Sequence, residues 1–286
     1  MNRTFNITSC VMMLAFLLFF APAFEAFADD GEIAAQVKEI LQGLKAGDQS
    51  GVTRLIQLGS AAVPSLIENA ADSDKIIRGI VTHVLYETHD ERAIPVFLDR
   101  LRDEEPGTRN IAILALCAFS VESLQKHDSL ALVDRLAEYA ARWDEGSARA
   151  VELIGNLGGI SQADALRDIL KDIADLQALT HEPDAIIPEL GYETLMTLQA
   201  EGVEDRRLMY LPSMKSACLK VLFKFGDETA GTQVGTALGA ADVASRVFGI
   251  ESVLYAGKKE MVAELFPLLN DKRTVTRIAK PDKVRY

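Results

Sequence analysis

The sequence predicts an all-α chain, an α-solenoid of stacked antiparallel helix pairs with a period of about 31 residues. Three observations predict it. Pro64 and Pro95, Asp72 and Asp103, and Arg78 and Arg109 each stand 31 residues apart. Lys215, Arg246 and Arg277 repeat that interval twice, and Gly226 and Gly257 repeat it once. Between these landmarks apolar residues recur at helical spacing, and the second helix of a pair is apolar on nearly every side. A helix of that kind must be buried between neighbours, so adjacent units have to stack.

The first segment, 1–28, reads as a signal peptide. Arg3 gives a positive start, Cys10 to Phe24 is an apolar run of 15 residues, and Ala26-Phe27-Ala28 supplies a small-x-small cleavage site. The run is shorter than the roughly 20 residues that cross a bilayer. No stable membrane insertion is expected after cleavage. Loss of Arg3 and Glu25 leaves 29 basic and 41 acidic residues, so the net charge stays at −12. Cys117 and Cys218 remain. Each stands in an apolar helical stretch, and both are expected to be buried free thiols.

The body, 29–286, is expected to be the solenoid. Its first helices open on Ala62-Val63-Pro64 and Ala93-Ile94-Pro95, where proline is tolerated because the first amides of a helix have no internal partner. A polar turn, Arg102 to Gly107, leads to a second helix over 108–119. The register then slips: Leu132 follows Pro95 after 37 residues and Arg149 follows Arg109 after 40. Helix pairs still fit 128–143 with 146–157, and another first helix fits 161–179. Residues 180–212 break the pattern with Pro183, Pro188 and Pro212 and are expected to be an irregular insertion holding one helix over 189–200. The insertion either carries binding contacts or re-sets the curvature. Lys272, Arg273, Arg277, Lys280, Lys283 and Arg285 either cap the last repeat or meet an acidic partner.

The Ala-Ile-Pro and Ala-Val-Pro starts, the Asp-x5-Arg pairs and the small-large second helices together resemble the short HEAT-like repeats of the phycobilisome-lyase type. The resemblance covers most of 32–280. It implies a right-handed solenoid whose second helices line a concave face. It also implies an Asp–Arg ladder at Asp72 with Arg78, Asp103 with Arg109, and Asp271 with Arg277. Lys215 and Arg246 have Met209 and Ala240 where the aspartate belongs, so the ladder is expected to break there.

Chemistry is sparse. The acidic balance and the lack of a basic stripe exclude a nucleic-acid partner. His83, His89, His127 and His181 lack metal-ligand spacing, and Gly155-Asn156-Leu157-Gly158-Gly159 lacks the preceding strand of a dinucleotide fold. No catalytic, cofactor-binding or metal residue is assigned, and no cofactor is expected. Trp143 is expected to pack in the core or between repeats. Counting from the Arg/Lys landmark, the fifth position gives His83, Leu114, Lys220 and Glu251, and the ninth gives Glu87, Ala118, Lys224 and Tyr255. His83, Glu87, Lys220, Lys224, Glu251 and Tyr255 are the candidate partner-binding residues, although Lys220 and Glu251 also fit a plain surface ion pair.

The expected function is a non-catalytic protein-binding scaffold or adaptor of the bacterial cell envelope, periplasmic or secreted. It would dock a protein or peptide on the concave face. The alternative is an enzyme accessory, lyase-like or a cofactor chaperone, with its site near 180–212.

Overall fold

The structure is a computed structural model and describes residues 30–263 and 265, apart from 128 and 189. The signal peptide expected at 1–28, the pair Asp271 and Arg277 and the basic C-terminal residues lie outside the described residues. Among the described residues every regular element is a helix, and none is long and apolar enough to cross a membrane. The chain divides after Asp90 into two compact units.

In the first unit α1 (Asp30–Lys45) buries Ile33, Val37, Ile40 and Leu41, which fall on one helical stripe. That stripe packs on α2 (Gly51–Leu58) and on α3 (Val63–Glu68), and both of these pack on α4 (Lys75–Thr88). A 3-10 turn over Gly59–Ala62 runs into α3, whose first turn holds Pro64 as the sequence predicts. Gly51 permits a close approach, since a Cβ there would stand 2.7 Å from Leu44 Cγ. α4 starts on Asp74, whose side chain accepts the Ile76 amide, and ends on His89 in the left-handed region at φ 52°.

The second unit opens on a 3-10 turn, Glu91–Ala93, that runs into α5 (Ile94–Arg100), again with proline in the first turn. It continues through α6 (Pro106–Ala118), α7 (Val121–Gln125), α8 (Ser129–Ala140), α9 (Ser147–Asn156) and α10 (Ala163–Gln177). The remaining helices are α11 (Tyr192–Ala200), α12 (Leu211–Lys224), α13 (Glu228–Leu238) and α14 (Val243–Ala256). α5 packs on α6, α8 on α9, and α13 on α14, as hairpin partners. The second members also touch in series, α6 on α9, α9 on α12 and α12 on α14. α12 is the hub. It is flanked by α9, α10, α13 and α14 and buries residues on nearly every side, from Met214 and Ala217 to Cys218, Leu219, Val221 and Leu222.

Two sequence expectations meet a physical correction. The slip after Pro95 has a cause the periodicity did not reveal: α7, capped by Ser120 accepting the Ser123 amide, adds a turn between α6 and α8. Cys117 is exposed, unlike buried Cys218, because the last turn of α6 presents it outward. α6 is therefore buried around most of its circumference but not all of it.

The Asp-x5-Arg landmark works through the main chain. Asp72 and Asp103 each fold back to accept the amide two residues on, from Asp74 at 2.8 Å and Glu105 at 3.0 Å. That turn presents carbonyls to the arginine one turn into the following helix. Arg78 Nη1 donates to the carbonyls of Asp72 and Ser73 at 3.1 Å each, and Arg109 Nη1 to those of Asp103 and Glu104 at 2.7 and 2.9 Å. The ladder was expected to break at Arg246 because Ala240 replaces the aspartate. It does not: Arg246 Nη1 donates to the carbonyls of Ala240 and Ala241 at 2.8 and 2.6 Å. A carbonyl needs no particular side chain, so the hook survives.

Arg109 adds a link between helices. Its Nε donates to Asp144 at 2.7 Å, and both side chains are less than a tenth exposed. Trp143, buried as expected, turns the chain with φ 56° directly before Asp144, and Ser147 Oγ receives the Asp144 amide. Arg149 is exposed and does not serve as the α9 landmark. The fourth residue of α9, where α4, α6 and α14 carry their arginine, is the fully buried Ala150.

Candidate functional site

The candidate binding residues fall in both units. His83 and Glu87 lie one turn apart on α4, half-buried and exposed respectively. In the second unit the packing of α12 on α14 brings the other four together. Lys220 Nζ stands 2.9 Å from Glu251 Oε2 and 3.7 Å from Glu152 Oε1, so one ammonium bridges α9, α12 and α14. Its side chain is 13% exposed, which limits solvent screening of the bridge relative to an ordinary surface pair. Lys224 Nζ lies 5.0 Å from the centre of the Tyr255 ring, a cation–π contact. The Tyr255 hydroxyl points inward and donates to the Glu152 carbonyl at 2.7 Å, and burial raises its pKa.

Glu152 was missed by the count along the sequence. The 31-residue register slips before α9, so the count from Arg78, Arg109, Lys215 and Arg246 skips that helix. Leu114 and Ala118 occupy the equivalent positions on α6, half-buried and exposed.

A second constellation involves the insertion. α11 forms close to its expected bounds, with irregular chain on either side. The 180–188 loop is fastened to α10 by Gln177, which is 2% exposed. Gln177 Nε2 donates to the carbonyls of Glu182 and Ala185 at 2.9 and 2.7 Å, and its Oε1 accepts Lys215 Nζ at 2.7 Å. Lys215 Nζ also donates to the Ala185 carbonyl at 2.8 Å. The ladder thus does change at Lys215, as expected, because this ammonium donates to Gln177 and to the loop carbonyl of Ala185. Among the described residues no carboxylate pairs with Lys215, and desolvation lowers its pKa to about 8.

Lys215 lines a cleft of about 460 Å³ whose apolar walls include Leu170, Ile173, Ala174, Pro183 and Leu222. At its edge Arg167 binds Asp227 at 2.9 Å and Asp164 at 2.6 Å. The Ala230 amide, and then Arg167, hold the Asp227 carboxyl below the usual carboxylate range. A neighbouring cavity of about 490 Å³ lies between α11 and the 3-10 turn Arg206–Tyr210, with Leu195, Met196 and Met209 among its lining. Beside that turn the Arg207 guanidinium lies 5.9 Å from the Trp143 ring.

The histidines stay apart. His181 meets Glu201 at 3.3 Å instead of its sequence neighbour Glu182, and His89 contacts the Glu87 carbonyl. Among the described residues no three His, Cys, Asp or Glu side chains are grouped so as to hold a metal ion.

The fold these elements define is all-helical, with hairpin pairs and a series of packed second helices. No protein family, curated protein or solved structure matches the chain.

Proposed function

We propose that the protein is a non-catalytic scaffold of the bacterial cell envelope, exported by its first 28 residues and built as a right-handed HEAT-like solenoid. It docks a protein or peptide on the face formed by α6, α9, α12 and α14. The observation that supports this reading is the bridge from Glu152 through Lys220 to Glu251. It brings charged side chains of three helices side by side before any partner arrives. A pre-formed surface loses little entropy on docking, and its alternating charges favour a polar partner of complementary pattern.

The test is site-specific photo-crosslinking in cells at Glu251, an exposed member of the face, and at Glu138 on α8 as the control. The expected result is one stoichiometric partner captured only from Glu251, and lost when Lys220 and Lys224 are both changed to Glu. Identical capture from both positions, or capture indifferent to the charge reversal, sinks the reading. A second reading, an enzyme accessory with a lyase-like or cofactor-chaperone role, is favoured by the cavities at the 180–212 insertion.

A further inference from the structure

We propose that the cleft between α10, α12 and the 180–188 loop binds a small organic carboxylate with an apolar tail, with Lys215 as its counter-ion. The inference does not rest on the docking face described above.

Three independent observations carry it. The first is the ammonium itself. Lys215 Nζ has three N–H donors and gives two of them to neutral oxygens, Gln177 Oε1 and the Ala185 carbonyl. A partly desolvated cation held only by neutral acceptors is under-compensated, and an anion delivered to its remaining donor restores the balance. Fastening the loop does not explain the lysine, because Gln177 Nε2 already holds the same Ala185 carbonyl and that of Glu182 as well.

The second observation is local charge. The cleft is lined by Arg167, Lys171 and Lys215 against one carboxylate, Asp227, in a chain whose net charge is −12. Arg167 is occupied by Asp164 and Asp227. Lys171 is exposed on α10, where its charge adds to the field drawing an anion in. The third is shape and polarity. About 460 Å³ suits a small ligand, and Leu170, Ile173, Ala174, Pro183 and Leu222 supply apolar wall beside the ammonium, with Thr229 and Gln233 also on the lining. A carboxylate head on Lys215 with a hydrocarbon tail along α10 satisfies both features. A phosphate or sulfate would leave the apolar wall empty, and a neutral lipid would leave the ammonium as it is.

The test uses the whole exported chain and two probes of equal tail length, octanoate and octanol, titrated by calorimetry. Octanoate is expected to bind at least about tenfold more tightly than octanol. Lys215→Met, which keeps the length of the side chain without its charge, should weaken octanoate at least about tenfold and erase the preference over octanol. Ala174→Trp fills the cleft from an exposed wall position one turn before Gln177, keeps every member of the Gln177–Lys215 network, and should abolish binding of both probes. Absence of octanoate binding at millimolar concentration overturns the proposal. So does equal affinity for the two probes, octanoate binding unchanged in Lys215→Met, or binding that survives in Ala174→Trp. If Lys215→Met fails to fold, the probe comparison and Ala174→Trp still decide.

Discussion

Tyr255 reaches across 103 residues of sequence to donate its hydroxyl to the Glu152 carbonyl, and it fits only because Gly155 follows one turn segment later on the same helix. A Cβ at Gly155 would collide with the Tyr255 hydroxyl and lie 2.7 Å from Val221 Cγ2. The pair locks α14 to α9 over the side of α12. Tyr255→Phe should cost about 1 kcal/mol, the usual net value of one hydrogen bond. Gly155→Ala should cost about 1–3 kcal/mol through overpacking. The two effects should be less than additive, because removing the hydroxyl removes part of the clash. Urea unfolding of both single variants and the double variant measures the coupling. Strict additivity would refute the contact.

Arg109 and Asp144 form an ion pair in which both side chains are less than a tenth exposed, and the prediction there is asymmetric. Arg109→Ala leaves a buried carboxylate without its cation and should destabilise the second unit by about 3–5 kcal/mol. Arg109→Met combined with Asp144→Leu should lie closer to the parent than either single change, since it removes both charges together. Trp143, the one tryptophan of the chain, sits beside Asp144 and reports the local transition by fluorescence. Unchanged unfolding in Arg109→Ala would refute the structural role assigned to this arginine.

Acid should act through Asp227. Its folded carboxyl is held below the ordinary range, so its stabilising contribution is fully present above the unfolded value of about 4 and is lost as the pH falls through the folded one. Asp227→Asn should therefore flatten the fall in stability below about pH 4, leaving the slope between pH 6 and 8 unchanged. A pH series of thermal melts on parent and variant checks this. An equal acid slope in both proteins would count against the assignment.

The two thiols should separate by access. Packing around the sulfur raises the Cys117 thiol to about 11, yet the residue itself is exposed. Its alkylation should be slow at neutral pH and rise about tenfold per pH unit, following the thiolate fraction. Cys218, wholly buried on α12, should label only after denaturation. Peptide mapping after timed alkylation distinguishes the sites. Labelling of Cys218 in the folded protein would show that α12 is not the closed hub described.

Much of the fold was legible because its landmarks are side chains. Pro64 and Pro95 mark helix starts, Arg78, Arg109 and Arg246 mark second helices, and the stripe at Ile77, Val81, Val84 and Leu85 marks a buried face. What escaped depends on features the sequence does not advertise. α7 is a single capped turn, too short for a periodic signal. α9 carries Ala150 where the other second helices carry arginine, so Glu152 had no landmark to be counted from. The cleft assembles Gln177, the Ala185 carbonyl and Lys215 from three segments. Its one visible mark was a lysine in an arginine's place without the aspartate upstream. That mark suggested a gap in a ladder and not a charged wall.

The arginine hooks have a further consequence for how this chain tolerates change. Arg78, Arg109 and Arg246 each grip the carbonyls five and six positions upstream, and every amino acid carries that same oxygen. Ala240 in an aspartate's place is one outcome already realised. Turns of equal length should then be interchangeable between units with little penalty. A deletion of one residue shifts the oxygens out of the guanidinium's reach. Such a joint measures the number of links in the chain and is indifferent to their spelling.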